Sequence, residues 1–378
     1  MIYFDNSATT KINDSVLESY LEASKRYYGN PSSLHVMGEE TSSLLKRSRA
    51  QVAELLQVDS EEIVFTSGGT EGDNWAIKGT AIEKMAYGKH IISTAIEHPA
   101  VIKSLEQLEQ MGWEVTYLSV DEKGQIDLDE LKQAIRKDTV LVSIMAVNNE
   151  MGSIQPLRKI GEILETYPSI HFHVDAVQAV GKIDLDLAGS RIDIAVFSGH
   201  KFHAPKGTGF IYLKKGRKLA PLMSGGGQEK GKRSGTENVP GNIAMAKALR
   251  LLLEDVTVKR KRLSELKNEL TDYLKKLEKV TIFTPDESAP HIICFGMNRI
   301  RGEVIVHALE KHGIIVSTTS ACSSRRKTKT PTVLDMGYTK EEAESAVRIS
   351  LSHLNTNDEV QQFKDQFNLI YEQLKDIN

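Results

Sequence analysis

Short apolar runs alternate with longer amphipathic stretches between about residues 60 and 215 of the chain. The apolar runs are β-rich and four to six residues long, and the amphipathic stretches have helical spacing. The predicted strands are Ile63–Thr66, His90–Thr94, Glu114–Leu118, Val140–Met145, Phe172–Asp175, Ile192–Phe197 and Gly209–Leu213. The predicted helices between them include Glu71–Met85, Ala100–Met111, Leu128–Ile135 and Leu157–Thr166. This alternation predicts an α/β fold with a mostly parallel seven-stranded sheet wrapped by helices.

The pattern changes after the glycine-rich stretch Ser224-Gly225-Gly226-Gly227. A long helical pattern runs from about residue 242 to residue 277, with a break near Val256–Val258. Strand, helix, strand, loop, helix and a last strand at Arg348–Ser352 follow, which predicts a smaller α+β domain. We expect the N-terminal residues to pack near it. The predicted large domain is therefore 14–255, and the predicted small domain comprises 1–13 and 256–378.

Polar segments follow several of the predicted strands. In sheets of this kind ligands bind beyond the carboxyl ends of the strands, so these segments are expected to meet at one edge. They are Thr66–Thr70, Glu97-His98, Asn148-Asn149, Asp175 and Lys201.

Lys201 and Asp175 form the most informative pair among these segments. Lys201 lies in Ser198-Gly199-His200-Lys201, just past one predicted strand, and Asp175 ends another. A lysine can hold pyridoxal phosphate as a Schiff base, and an acid can keep the pyridine nitrogen protonated so that the ring accepts electrons. An exposed turn with a solvated lysine would also fit the first motif, and the motif alone does not separate the two.

The segment Thr66–Thr70 closes a strand and opens a helix, and it contains Gly68 and Gly69. Free amides at a helix N-terminus suit a phosphate, although a simple turn with a threonine cap fits equally well. No Gly-Lys-Ser/Thr sequence follows, which disfavours nucleotide hydrolysis.

Two further side chains suit the same chemistry. His98 precedes Pro99 in a loop, where an imidazole can lie against a planar cofactor, relay protons or simply be solvated. Arg348 opens the last strand, and its guanidinium suits a substrate carboxylate or a surface ion pair.

Composition excludes several classes. Lysine and arginine number 48 against 51 acidic residues, a net charge of -3, which gives no general argument for nucleic-acid or membrane binding. Residues 1–5 lack a signal-peptide pattern, and no apolar run approaches the ~20 residues that span a bilayer. We therefore expect a cytoplasmic protein.

The chain has two cysteines, too few for a zinc-finger or iron–sulfur framework, and we expect no metal site. Cys294 lies in an apolar run and is predicted to be core. Cys322 lies in a small, polar, basic loop, where nearby cations can lower the pKa of an exposed thiol. Only Cys322 is predicted to be reactive.

Motifs distributed along the chain in order resemble those of NifS/IscS-type cysteine desulfurases, which are pyridoxal-phosphate enzymes of the class-V aminotransferase family. They are Phe4–Thr10, Tyr28–His35, Thr66–Glu71, Asn148–Glu150, Ser198–Lys201, Gly226–Glu229, Arg233–Thr236 and Ser320–Cys322. The resemblance implies the transferase fold of type I pyridoxal-phosphate enzymes and a homodimer.

The resemblance also implies residue roles. Lys201 would bind the cofactor, Asp175 would pair with its ring nitrogen, and Cys322 would take the substrate sulfur. The other implied cofactor contacts are His98 on the ring, Gln178 on the phenolic oxygen, and Gly69, Thr70, Ser198, His200 and the other subunit's Thr236 on the phosphate. Asn149 and Arg348 would receive the substrate carboxylate, and Asn149 would also reach the cofactor.

The implied reaction converts L-cysteine to L-alanine and leaves a persulfide on Cys322, which is passed to an acceptor protein for iron–sulfur cluster assembly or tRNA thiolation. Thr318-Thr319-Ser320 replaces the Ser-Gly-Ser often found before the cysteine, and the basic run Arg325-Arg326-Lys327 follows it. This loop is more similar to that of tRNA-thiolation members, so the acceptor stays open. Neither direct nucleic-acid binding nor a membrane partner is expected.

Two other classes of function compete with this interpretation. An aminotransferase or a selenocysteine lyase on the same fold would use the same cofactor, but an aminotransferase needs no cysteine. A sulfur-carrier scaffold without catalysis is disfavoured because the chain contains both Lys201 and Asp175.

Overall fold

The computed structural model describes residues 1–319 and 332–376. Its strands are β1 (Ile2–Tyr3), β2 (Ile63–Thr66), β3 (His90–Thr94), β4 (Glu114–Leu118), β5 (Thr139–Ser143), β6 (His171–Asp175), β7 (Ile194–Ser198), β8 (Gly209–Leu213), β9 (Val280–Ile282), β10 (Ile292–Met297), β11 (Ile314–Ile315), β12 (Ser317–Thr318) and β13 (Val347–Ser350).

Between about residues 60 and 215 the helices alternate with the strands as the sequence predicts, whereas the helices at residues 14–26, 36–55 and 357–374 were not predicted. The helices are α1 (Asp14–Arg26), α2 (Val36–Leu55), α3 (Gly69–Asn74), α4 (Thr80–Lys84), α5 (Pro99–Gln110), α6 (Leu128–Ala134), α7 (Leu157–Glu165), α8 (Val239–Leu253), α9 (Val256–Leu274), α10 (Gly302–Lys311), α11 (Thr332–Asp335), α12 (Lys340–Ser345) and α13 (Asn357–Leu374). A π-helical turn, Trp75–Gly79, joins α3 to α4. None of the helices in the described residues is long and apolar enough to cross a membrane.

A seven-stranded sheet of order β2-β8-β7-β6-β5-β3-β4 forms the centre of the fold. Strand β8 is antiparallel to both neighbours, and the other six strands share one direction. Strands β5 to β8 are buried along their whole length, as expected when helices cover both faces of a parallel sheet. The predicted α/β class and mostly parallel sheet are confirmed.

A smaller antiparallel sheet of order β12-β13-β10-β9 has its own apolar cluster. That cluster includes Ile2 and Phe4 from the N-terminus and leucines of α9. Strand β1 pairs with β11 in parallel, which fixes the N-terminus against this part of the chain. One large apolar cluster lies around the seven-stranded sheet and another around the smaller sheet, in agreement with two domains. The exact boundaries, 14–255 for one domain and 1–13 with 256–378 for the other, stay predictions.

Most predicted elements agree with the structure within two residues, and the differences have local causes. The long helical pattern after residue 239 is interrupted at Asp255, which adopts a left-handed conformation with φ 50° between α8 and α9. At the start of α3 the cap position is Gly68, which has no side chain, so the alternative of a threonine cap is wrong.

Candidate active site

The carboxyl ends of β2, β3, β5, β6 and β7 lie at one edge of the large sheet because these strands run in the same direction. The segments that follow them are those that the sequence analysis selected. Thr66 ends β2, Asp175 ends β6, and Lys201 lies in the short 3-10 turn directly after β7. The predicted convergence is therefore present in the fold.

Asp175 is buried and accepts a hydrogen bond from the amide of Val177 over 2.9 Å. Burial, together with the neighbouring Asp73 carboxyl, raises the pKa of Asp175 to about 7. His98 caps α5, and its Nδ1 accepts from the amide of Ala100 over 3.1 Å. One ring nitrogen of His98 and one oxygen each of Asp73 and Asp175 lie within 4.8 Å of one another. His98 and Asp175 thus face the same small space, as predicted.

The N-terminal segment holds the side chain of Lys201. Its Nζ donates to the backbone carbonyls of Ser7, over 2.5 Å, and Ala8, over 2.8 Å. Gln178 Nε2 donates to the same Ser7 carbonyl over 3.0 Å. Because a carbonyl only accepts, the amide nitrogen of Gln178 must face Ser7, and its Oε1 then accepts from His291 Nε2 over 3.2 Å. One backbone carbonyl therefore joins two of the predicted cofactor residues.

Small residues bring the first turn of α3 close to the sheet. A Cβ added to Gly69 would lie 2.9 Å from Val177 Cγ2 and 3.5 Å from Ser198 Cβ. A Cβ on Gly72 would lie 2.5 Å from Val196 Cγ1, closer than side chains tolerate. The glycines therefore allow the helix N-terminus to approach the end of β7, where Ser198 lies.

An ion pair fixes the turn that precedes α3. Glu71 accepts the amide of Ser67 over 2.8 Å, and it pairs with Arg233 Nε over 2.7 Å. Burial opposes ionisation of Glu71, but the hydrogen bonds from Arg233 and Ser67 lower its pKa overall. The pair connects two segments of the quoted motifs that lie far apart in the chain.

Arg348 is 6% exposed and is held from two sides. One terminal nitrogen donates to the Asn149 carbonyl over 2.9 Å, and the other to Asp5 Oδ1 over 2.8 Å. Arg348 Nε and Asn149 Oδ1 are buried and have no hydrogen-bond partner within the described part of the chain. The unpaired guanidinium donor suits a ligand that accepts hydrogen bonds, such as a carboxylate, whereas Asn149 Oδ1 only accepts, so Asn149 can bind a carboxylate only through its Nδ2.

The four other predicted residues lie in four different situations. His200 lies beside Lys201, and burial together with the charge of Lys201 lowers the pKa of His200 to about 4, so the imidazole is neutral. Thr236 is exposed in the single chain. Cys322 lies outside the described residues. Cys294 is fully buried in β10, as predicted.

Sequence reasoning missed several residues that complete this geometry. Asp73 has an oxygen within 4.8 Å of His98 and Asp175, and His173 Nε2 lies 3.5 Å from Asp73 Oδ1. His291 contacts Gln178, and the Ser7 carbonyl binds Lys201. Asp5 and Ser7 lie inside the quoted motif Phe4–Thr10, which was the available signal for them. Asp73 follows Glu71 by two residues, beyond the end of its motif.

Comparison with known proteins places this site in a family. The family model described as aminotransferase class-V matches residues 2–363. The chain belongs to the class-V aminotransferase family. A "NifS/IcsS protein homolog" of Lactobacillus delbrueckii subsp. bulgaricus is 50% identical over 381 residues, covering 100% of this chain and 99% of its own. A "Cysteine desulfurase IscS" of Methanosarcina thermophila is 40% identical, covering 100% of this chain and 93% of its own.

Solved structures agree. A solved structure titled "NifS-like protein" superposes with a TM-score of 0.94 at 40% sequence identity, covering 99% of this chain and 100% of that one. The resemblance inferred from the motifs is confirmed, and so is the fold class of type I pyridoxal-phosphate enzymes. Class-V aminotransferases are pyridoxal-phosphate enzymes, which confirms the predicted cofactor.

The residues present fit pyridoxal phosphate. Asp175 is a buried acid without a cation at hydrogen-bond distance among the described residues, and a protonated ring nitrogen would supply one. The amides of Gly69 and Thr70 lie in the first turn of a helix, where they have no partner inside the helix and suit a phosphate. Lys201 lies close enough to Asp175 for its charge to lower the pKa of that carboxyl.

The raised pKa of Asp175 leads to a prediction for the stability of the cofactor-free protein. Between pH ~4 and ~7 the folded chain keeps a proton on Asp175 that the unfolded chain releases, so this group destabilises the fold increasingly as the pH rises. We expect Asp175→Asn to raise the free energy of unfolding by about 4 kcal/mol at pH 8 and by less than half of that at pH 5.

Urea unfolding of both cofactor-free proteins at the two pH values measures this difference. Buried histidines whose pKa does not depend on Asp175, such as His171 and His203, have pKa values that burial lowers to about 3 and about 4, and they change stability with pH in the opposite direction. They are present in both proteins and cancel in the comparison. An equal difference at pH 5 and pH 8 would contradict the raised pKa.

Proposed function

We propose that this chain is a cysteine desulfurase that converts L-cysteine to L-alanine and transfers the sulfur to Cys322. The observation that carries the proposal is that Lys201 and Arg348 are held by adjoining residues of one N-terminal segment. Lys201 binds the carbonyls of Ser7 and Ala8, and Arg348 binds Asp5. This shared attachment supports a single amino-acid site that combines Lys201 as the cofactor-binding lysine with Arg348 as the carboxylate-binding arginine. The curated name of the IscS relative supports cysteine as the substrate.

Arg348 and Asn149 bind the substrate carboxylate in this proposal. The buried Arg348 Nε is the available donor, and the rest of the guanidinium is fixed by Asp5 and by the Asn149 carbonyl. A guanidinium that is already oriented loses little side-chain freedom when the carboxylate binds. The substrate is thereby oriented before the reaction begins.

Lys201 removes the Cα proton of the substrate. Bound pyridoxal phosphate withdraws electrons from the substrate and makes this proton acidic, provided that Asp175 keeps the ring nitrogen protonated. The Nζ of Lys201 takes the proton and later returns it, and the carbonyls of Ser7 and Ala8 hold the charged amine in between.

Cys322 takes the sulfur. Its thiolate attacks the sulfur of the bound cysteine, a sulfur–sulfur bond forms, and the carbon–sulfur bond breaks with its electron pair going to the carbon skeleton. Protonation of that carbon completes alanine, so cysteine and a thiol give alanine and a persulfide without an external oxidant. The persulfide then passes to an acceptor protein in iron–sulfur cluster assembly or tRNA thiolation.

The proposal includes a homodimer, in which Thr236 reaches the phosphate of the other subunit's cofactor. Leu222 and Met223 are 40% and 44% exposed beside a surface cavity that Ser67 and Thr70 also line. Apolar side chains at the rim of a polar site are typical of a surface that a partner covers. Thr236 is exposed, as a residue reaching a neighbouring subunit must be.

The test is to incubate the purified protein, loaded with pyridoxal phosphate, with L-cysteine and a reductant and to quantify alanine and sulfide. We expect the two products in equal amounts. No alanine would overturn the proposal, and alanine formed only when a keto acid is supplied as amino acceptor would favour an aminotransferase. Parallel assays with selenocysteine compare this substrate with cysteine, and preference for it would favour a selenocysteine lyase.

Arg348→Lys is expected to raise the KM for cysteine by about 10- to 100-fold, because a charged hydrogen bond to the carboxylate is lost and each tenfold corresponds to ~1.4 kcal/mol. The lysine keeps a positive charge near Asp5, so the fold is retained. Steady-state kinetics measure the effect, with the exposed Arg301→Lys as the matched control. An unchanged KM would mean that Arg348 does not bind the substrate carboxylate.

A further inference from the structure

Asp73 is a carboxyl that the proposed reaction does not use. It lies in α3, is 1% exposed, and its Oδ1 has no hydrogen-bond partner within the described residues. Burial raises its pKa well above the ordinary value. A buried carboxyl with an unsatisfied oxygen is costly, so its presence beside the pocket needs an explanation.

The surroundings of Asp73 are polar but hold few charges. His173 Nε2 lies 3.5 Å from Asp73 Oδ1 and also has no hydrogen-bond partner among the described residues. The other nitrogen, His173 Nδ1, is 2.8 Å from Ser143 Oγ. His173 and Asp175 are two residues apart on β6, so they point to the same face of the sheet, toward Asp73.

The charge balance in this pocket allows one ionised carboxylate. Burial lowers the pKa of His173 to about 4, which leaves the imidazole neutral, and Lys201 is held by the carbonyls of Ser7 and Ala8. The protonated ring nitrogen of pyridoxal phosphate would supply one positive charge, which Asp175 would balance. A second buried carboxylate within 4.8 Å would have no cation of its own.

We propose that Asp73 is a positioning residue that stays protonated beside Asp175, donates its O–H to His173 Nε2, and would leave Asp175 as the single ionised carboxylate available to the ring nitrogen of pyridoxal phosphate. The inference rests on the cofactor assignment and not on the substrate. His173 then carries its proton on Nδ1 and donates it to Ser143 Oγ. When Asp73 Oδ1 and His173 Nε2 move from 3.5 Å to hydrogen-bond distance, each of these two atoms gains the partner that it lacks.

Infrared difference spectroscopy tests the protonation state directly, because a neutral carboxylic acid has a C=O stretch that a carboxylate lacks. The holoenzyme at pH 8 is compared with Asp73→Asn, and the exposed Asp129→Asn serves as the control. We expect the carboxylic-acid band in wild type and in Asp129→Asn, and its loss in Asp73→Asn. A wild-type spectrum without the band, or a band that persists in Asp73→Asn, overturns the proposal.

Cofactor binding separates the positioning role from a merely structural one. Asparagine is neutral and keeps a hydrogen-bond donor, so Asp73→Asn is expected to keep the dissociation constant of pyridoxal phosphate within about threefold and its visible absorption unchanged. Asp73→Leu leaves His173 unpaired and is expected to weaken binding about tenfold or more and to shift the absorption. Equal damage in both variants would mean that an ionised Asp73 is needed, which overturns the proposal.

These measurements use no cysteine, so they remain informative if the chain proves to have another substrate. If Asp73→Leu fails to fold, the infrared band and the cofactor affinity of Asp73→Asn still show whether Asp73 is protonated. If the desulfurase proposal fails, no alanine forms while the carboxylic-acid band of Asp73 is present. If the Asp73 proposal fails, alanine forms while this band is absent from wild type or persists in Asp73→Asn.

Discussion

Replacing Lys201 with alanine is expected to lower kcat for alanine formation from cysteine by at least about 10³-fold, because the variant loses both the covalent anchor of the cofactor and the base at Cα. Its Nζ lies against Ser7 and Ala8 in the pocket that contains Asp175. No other lysine of the described chain has this placement. Initial rates of alanine and sulfide formation with saturating pyridoxal phosphate measure the loss.

Lys206→Ala is the matched control, because Lys206 lies on the same loop but is exposed. It is expected to retain the wild-type rate. The absorption band of a lysine-bound cofactor should disappear in Lys201→Ala, while a small primary amine added to the solution should restore part of the activity. Full activity in Lys201→Ala would mean that Lys201 neither anchors the cofactor nor takes the Cα proton.

The sheet and its functional edge were predictable because their causes are local. Strands buried on both faces form continuous apolar runs, and Ile63–Thr66, His90–Thr94 and Gly209–Leu213 were predicted with the bounds that the structure has. Parallel strands place their carboxyl ends together, so Asp175 and Lys201 could be assigned to one pocket from their positions alone.

The partners of the site residues were not predictable, because they depend on contacts between distant parts of the chain. Asp5 and Arg348 are separated by 343 positions, and His291 and Gln178 by 113. Nothing in the sequence near Arg348 indicates that an aspartate at the N-terminus will hold it. The direction of β8 and the π-helical turn Trp75–Gly79 likewise depend on packing against neighbouring elements.

Asp73 shows the limit of motif reasoning most clearly. In the sequence it is one of many acidic residues on a predicted helix, and a charged helical residue is usually solvated. Only the fold shows that the helix turns this residue toward β6, where it faces His173 and Asp175. Because Asp73 is buried beside Asp175, its protonation state can determine which of the two carboxyls is ionised.

Cys322→Ser is expected to abolish the enzyme persulfide and to lower alanine formation by about 10³-fold or more, since serine is far less nucleophilic toward sulfur than a thiolate. The variant should still bind pyridoxal phosphate and should still change its absorption when cysteine is added, because Lys201, Asp175 and Arg348 are intact. Mass spectrometry of the protein after reaction measures the added sulfur atom, and the visible spectrum measures the cofactor.

Cys294 provides the control, and its position makes the comparison sharp. It pairs with Arg348 across β10 and β13, so it lies nearer to a predicted substrate residue than its place in the sequence suggests. It is nevertheless fully buried, and burial raises the pKa of its thiol well above the ordinary value, which keeps it protonated and unreactive.

We expect Cys294→Ala to keep the persulfide and the rate of alanine formation while it lowers stability by about 1–2 kcal/mol. A persulfide that survives in Cys322→Ser and disappears in Cys294→Ala would reverse the assignment of the two thiols.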